Sequence, residues 1–583
     1  MGGVVALGVL GATVVGGVLF LPPPPDGPRY LGAGHDSPVR GGTFVFHQVS
    51  DLPPIDPTVS YDEISTMAIK LLFEGLIDYD RETMELVPAL AVEVPTPTDG
   101  GKTFVFRLRR GVRFQDSPVF EGGRGREVVA EDVRWTLERM LDPDVPSPGP
   151  PFFSALQGYE AYREGRSEHV AGIEVRDRYT IAFHLDVPDQ TFLFAMATIF
   201  AYPVAREAYE HWGDEAGEHP VGTGAYRLES WDPGVMATFV RNPTYYRPGL
   251  PHVDRMVFHL NLDRDAAVMR FRNGEIDHIH RMTSADYLLL KRLEAWAPYR
   301  LDGQKVDVWG VILNCGMAPF DNRHLRRAVA FAIRRDNWRR AWNERLVVTG
   351  QPIPRALPGF DPDLPGRQVT DLDRAREEMR LAGFADGYPE PVDLWVAESD
   401  TSRLFGELVQ ADLARIGIDV RLRQAAFPVF IAQTGRPRTA PMTFLGWTMD
   451  YPDAANFLDV LFHSRSIQDE NSKNRAFYAN AEVDRLLDEA RQETERATRL
   501  ALYRRASTLI AEDAPWAFAF SNTSLEVVQP YVKGYRPHPA WQYFFRDIWL
   551  DLPRRRVAER VPFGRPAPRH PFASALGGPP WSR

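Results

Sequence analysis

Residues 446–457 read GWTMDYPDAANF. A single acid, Asp450, follows Gly446, Trp447 and Thr448 and is set among aromatic and small residues. Such a carboxylate can hold the cationic end of a ligand, because a charge-assisted hydrogen bond is strong and directional. The acid alternatively caps a helix beginning near Ala454 or braces a turn. Just upstream, MTFLGW (442–447) is an apolar run with the look of a strand, and VDLWVA (392–397), a helix over 402–416 and IDVRLRQ (418–424) come before it. Strand, helix, strand, strand is an α/β unit.

The same mixture continues outward. TFVFHQVS (43–50) alternates as a half-buried strand, and Ile64, Met67, Ala68, Leu71 and Leu72 fall at helical spacing. TFVFRLRRGVRF (103–114) is a strand with a turn at Gly111, AEDVRWTLERML (130–141) an amphipathic helix, and 170–185 and 224–242 are hairpins. Short apolar strands are expected at 254–262 and 308–314, helices over 325–345 and 371–384, two charged helices over 482–512, and a strand at AFAFSNT (517–523). No linker cuts 41–552 into separate beads, so the segments are expected to interleave between lobes.

At 583 residues the chain exceeds one core. A formal charge of −10 argues against nucleic acid as partner. Only six of the 68 basic residues are Lys, which codon usage explains better than carboxylate recognition. One cysteine, Cys315, excludes an internal disulfide; in VWGVILNCG it reads as a small core residue rather than a nucleophile. No HExxH, GxxxxGK[ST] or GxSxG occurs, and VGTGAY lacks the third glycine of a nucleotide loop. His278 and His280 share a strand face, but Asp277–Arg281 is polar and is expected at the surface, without a third metal ligand. Catalysis, cofactors and metals are therefore not expected.

Residues 4–21 are apolar throughout and are followed by PPPP and a Gly- and Pro-rich stretch to Gly42. The run is long enough to cross a bilayer, and no Lys or Arg precedes Arg29. An uncleaved inner-membrane anchor is preferred over a cleaved signal peptide, and a misassigned start would also account for the missing basic residues. Either way the body is exported to the periplasm or cell envelope. The tail, 553–583, is rich in Arg and Pro and is expected to be disordered.

Four segments, LLFEGLIDYD (71–80), HPVGTGAYRLESW (219–231), NCGMAPFDNRHLRRAVAFAI (314–333) and GWTMDYPDAANF, together resemble family 5 of the extracellular solute-binding proteins, the oligopeptide- and dipeptide-binding components of ABC transporters. The resemblance runs from about Gly41 to about Leu552. It implies an α/β fold, two-lobed and periplasmic-binding-protein-like (type II, large peptide-binding cluster), with an extra small subdomain. Lobe I would be 41–300, including a subdomain at about 81–204. Lobe II would be 301–521, and 522–552 would return to lobe I. The implied ligand-binding residues are Asp450, accepting an α-ammonium group, with Gly446, Trp447 and Thr448 beside it and Tyr61 and Glu63 bordering the cleft.

Some relatives carry an arginine just before Gly-Trp to meet a ligand carboxylate. Phe444 stands near that place here, so the carboxylate needs another partner or is absent. The resemblance implies a monomer that captures a small peptide by hinge closure and hands it to membrane permease subunits. Relatives that bind nickel chelates, haem or oligosaccharides keep a non-peptide ligand open as the alternative, and an enzyme using the same cleft is a further one. The stretch 117–128 is longer than a tight turn and has no assigned role.

Overall fold

The computed structural model describes residues 13–15, 18–20, 26–538 and 544–552. One lobe is built on a four-stranded sheet with the spatial order Thr43–His47, Arg255–His259, Met236–Arg241, Tyr226–Asp232. The first pair is parallel and the others are antiparallel. Phe44 and Phe46 are fully buried on it. The helix Glu63–Leu72 begins at Asp62, whose carboxylate accepts from the Ile64 and Ser65 amides and so satisfies two donors the first turn leaves free. Gly222 and Gly224 lie against the end of this helix. A Cβ there would sit 2.1 Å from the Leu72 carbonyl oxygen and 2.4 Å from that of Leu71, respectively. VGTGAY thus serves close backbone packing.

A three-stranded sheet, Thr103–Arg107, Thr180–His184 and Ile173–Asp177, stands beside this lobe with the helix Ala130–Leu141. The two sheets share one apolar core, which residues from 528–552 complete.

A third, larger sheet has eight strands. Its backbone order is His278–Ile279, Trp516–Val528, Asp307–Leu313, Met442–Thr448, Val392–Ala397, Val420–Ala425, with Arg300–Gln304 and Leu346–Val348 also paired to the long strand. The 13-residue strand Trp516–Val528 is the structural key. Its first part pairs with Asp307–Leu313 and Leu346–Val348 in the second lobe. Its last part pairs with Arg300–Gln304 and His278–Ile279 on the first-lobe side.

Two strands therefore cross between the lobes next to each other, near 304–307 and 520–523. Asp307 fastens them. Its buried carboxylate accepts from the Asn522 amide and side chain, both at 2.7 Å, and from the Trp309 indole at 3.0 Å. Ser521 donates to the Asp307 carbonyl. Burial pushes the Asp307 carboxyl above the usual range, and the Asn522 and Trp309 donors oppose that shift.

Most expected elements are present; several differ in informative ways. The helix expected over 325–345 is two, Arg323–Ala332 and Arg335–Ala341. At the break, the buried Asp412 accepts from the Arg334 amide and the Trp338 indole, both at 2.9 Å, and the chain leaves its helical path to meet that carboxylate. The strand expected at 517–523 runs on to Val528 through the polar stretch that follows. Asp277, His278 and His280 are buried, not at the surface, because the short strand His278–Ile279 pairs with the crossing strand.

Of the apolar run 4–21, the strands Thr13–Val15 and Val18–Phe20 are described, as an antiparallel pair. The rest of that run and the tail 553–583 lie outside the described residues. Among the described residues no helix is long and apolar enough to cross a membrane.

Candidate ligand-binding site

Asp450 follows the strand Met442–Thr448 and faces the other lobe. Its carboxylate accepts from the Tyr61 hydroxyl across the lobe boundary and from the Asn456 side chain at 3.0 Å. Asn456 in turn accepts from the Asp450 amide at 2.9 Å and from the Trp447 indole at 3.2 Å. The helix Ala455–Phe462 is not capped by Asp450; the Asp453 carboxylate accepts from the Ala455 amide instead.

Every hydrogen-bond partner of the Asp450 carboxylate is neutral. Burial pushes its pKa upward, while the Tyr61 and Asn456 bonds and the more distant Lys473 charge pull it down. Burial and the nearby Asp450 charge hold the Tyr61 phenol well above its ordinary pKa, so it stays a donor. A half-desolvated carboxylate without a cation is the arrangement that an ammonium group completes.

Closure around this point involves more than one bond. The Tyr451 ring stacks on Phe194, with centroids 5.7 Å apart and planes 10° apart, and meets Phe152 edge-on. The Arg491 guanidinium donates to the buried Asp189 carboxylate at 2.6 and 3.0 Å, and the Gln190 amide donates to the Arg491 carbonyl. These contacts join segment 152–194 to segment 451–491, so the lobes meet beside Asp450.

Behind them lies an interlobe cavity of about 1180 Å³. Glu63 and Thr448 stand on its wall; Tyr61, Gly446, Trp447 and Asp450 do not. Glu63 accepts an ion pair from Arg281. Gly446 lies under the Trp309 indole, and a Cβ there would fall 2.3 Å from the ring, so this glycine seats Trp309 on the cavity wall. Trp447 is partly buried, with its indole on Asn456.

Sequence reasoning missed Trp309, Trp342, Arg345 and Lys305 and expected His280 at the surface; all five are on the wall. The pairing of Trp309 with Gly446 across two strands brings that indole to the cleft, and no local pattern encodes that pairing. Among the described residues no group of three or more His, Cys, Asp or Glu could hold a metal. Burial pushes the Cys315 thiol up to about 11, which leaves it protonated and unreactive at neutral pH.

Two lobes joined by paired crossing strands, with a cavity between them, define a hinged binding protein. The chain belongs to the bacterial extracellular solute-binding proteins, family 5, whose middle-region model matches residues 85–469. Members of this family are periplasmic or extracellular binding proteins. The chain is 26% identical over 495 residues to Di/tripeptide-binding protein 2 of Pseudomonas aeruginosa, covering 82% of this chain and 89% of that one. It superimposes on the clavulanic acid biosynthesis oligopeptide binding protein 2 with a TM-score of 0.82 and 27% identity, covering 90% of this chain and 100% of that one. The fold also matches the periplasmic binding protein DppA from Helicobacter pylori in complex with peptide STSA, with a TM-score of 0.74, 24% identity and coverage of 88% and 99%. The architecture is thus the two-lobed α/β fold of periplasmic peptide-binding proteins.

Proposed function

We propose that the chain is the substrate-binding component of an ABC importer, which captures peptides in the interlobe cleft by hinge closure and delivers them to a membrane permease. Residues 41–300, with the subdomain 81–204, act as one lobe; 301–521 act as the other; and 522–552 return to the first. The observation that carries this reading is Asp450, a partly buried carboxylate with only neutral partners at the point where the lobes meet. A peptide ammonium takes the place of the Tyr61 hydroxyl there and supplies the missing positive charge.

Gly446, Trp447 and Thr448 hold the strand end that presents Asp450, and Tyr61 and Glu63 border the entry. Asp450 is two positions along the chain from Thr448, at most roughly 7 Å, and Thr448 is on the cavity wall. An extended peptide advances by a similar distance for every two residues, so a short peptide anchored at Asp450 reaches into the cavity. The protein acts as a monomer, and the apolar run 4–21 serves export, either as a signal or as an inner-membrane anchor.

Calorimetric titration with paired peptides tests the assignment. Free-amine peptides should bind at least about tenfold more tightly than their N-acetylated forms, the scale of a lost charge-assisted bond. Equal affinities would remove Asp450 from the role.

A further inference from the structure

A second pocket, of about 550 Å³, opens on the first lobe and shares no wall residue with the interlobe cavity. Its walls come from two stretches, 115–118 and 212–233. It therefore sits where the start of the unassigned stretch 117–128 meets Tyr226–Asp232, the edge strand of the four-stranded sheet. The volume falls among those of small-molecule sites, about 300–1,000 Å³.

Two polar atoms on this wall are buried and unanswered. Gln115 is 5% exposed, and its Nε2 donates to the Pro220 carbonyl. That bond fixes which way round the amide sits and leaves Oε1 as an acceptor without a donor. The Trp231 indole N–H is likewise buried without an acceptor. Buried polar atoms are nearly always hydrogen-bonded, so an open acceptor and an open donor in one pocket mark a binding site. Aromatic surface lies beside them. The Trp212 indole stacks on His219, with centroids 4.7 Å apart and planes at 27°. At the rim the exposed Glu218 carboxylate makes no ion pair among the described residues.

The two open atoms restrict the chemistry. An anion offers nothing to the Gln115 oxygen, and the wall opposes it with three carboxylates, Asp116, Glu218 and Glu229, against one guanidinium, Arg227. A cation offers nothing to the Trp231 N–H. A peptide laid along the edge strand could serve both atoms, but the strand is irregular there. Thr238 pairs with Ser230 and Phe239 with Leu228, which leaves Glu229 as a bulge. Bulges and charged side chains are what keep strand edges from pairing. A sugar ring serves both atoms, because each hydroxyl donates and accepts. Its C–H face also packs on an indole, where slightly positive hydrogens meet the negative face of the ring.

We propose that this pocket is a saccharide-binding site. The Trp212 indole carries the face of a sugar ring, Gln115 Oε1 accepts from one hydroxyl, the Trp231 N–H donates to another, and Glu218 accepts from a third at the rim. The stretch 117–128 gains a role in this reading. Asp116 accepts from the Gly125 amide at 2.9 Å, which folds the stretch back on itself and sets Ser117 and Pro118 as part of the wall. The site lies on one lobe, so it holds its ligand in open and closed states alike. It goes beyond peptide capture and does not depend on it.

The test is calorimetry with chitotriose, cellotriose, maltotriose, mannotriose and xylotriose, using the wild-type chain and the variants Trp212→Leu and Glu218→Gln, with folding checked by thermal melting. Glu218 is exposed, so its variant tests the site even where loss of the indole disturbs the fold. At least one sugar should bind the wild type, and each variant should weaken it at least about fivefold. Preference for chitotriose assigns the pocket to an acetamido sugar; preference for any of the others assigns it to a plain one. No binding by any of the five up to about 10 mM would overturn the proposal. So would a sugar whose affinity neither variant changes, since it binds elsewhere on the molecule.

Discussion

Asp450 is held at a cost when it is ionised in the unliganded protein. Its pKa is raised in the fold, so its favourable contribution is complete below the unfolded value of about 3.9 and is lost as pH rises through the folded value. Asp450→Asn should therefore leave the unliganded protein at least as stable as wild type at pH 7, with the difference vanishing near pH 3.5. The same variant should lose about 1.5–3 kcal/mol of affinity for free-amine peptides. Melting curves against pH, paired with titrations, check both halves.

His280 works in the opposite sense. Its pKa is held well below 6.5, by burial and then by His47, His278, Arg281 and Lys305, so it stays neutral in the fold while the unfolded chain takes up a proton. Stability present above pH 6.5 is lost as pH falls, at up to about 1.4 kcal/mol per pH unit. Urea unfolding of His280→Leu between pH 6.5 and 4.5 should show a slope shallower by about that amount. At this scale Asp450 could be singled out, because a lone acid after Gly-Trp is a local pattern. His280, Arg345 and Trp309 could not be placed, because what puts them at the cavity is strand pairing between distant segments.

The crossing strands set how the two halves move. The Asp307 carboxylate accepts three hydrogen bonds, from the Asn522 amide and side chain and from the Trp309 indole, so Asp307→Ala leaves those donors without that partner and should cost about 1–3 kcal/mol. Chemical denaturation measures the cost. Hydrogen exchange should place the loosening at 304–307 and 520–523, and protection spread evenly over the molecule would count against this fastening role. Strands and helices were largely legible from apolar periodicity. The extension of 516–528 was not, since SNTSLEVV carries too many polar residues to announce a strand with partners in both lobes. The break at Ile333-Arg334 was hidden for a related reason: its cause, Asp412, lies on another helix.

Closure of the whole molecule is a balance that one ion pair tilts. Asp189 is 1% exposed and Arg491 is its only ion-pair partner among the described residues. Arg491→Ala strands a buried carboxylate in the closed form alone, since the open form lets water reach it; breaking such pairs typically costs about 3–5 kcal/mol. X-ray scattering should report a larger radius of gyration for the unliganded variant, and stopped-flow should show faster peptide release. The interleaving of lobes was legible from the absence of linkers, but this contact was not, because Asp189 and Arg491 are ordinary charged residues some three hundred positions apart. The crossing strand has one more consequence, for synthesis. Residues 516–528 are needed by both halves, and 528–552 complete the first lobe's core. A ribosome must therefore make nine-tenths of the polypeptide before either half can finish folding.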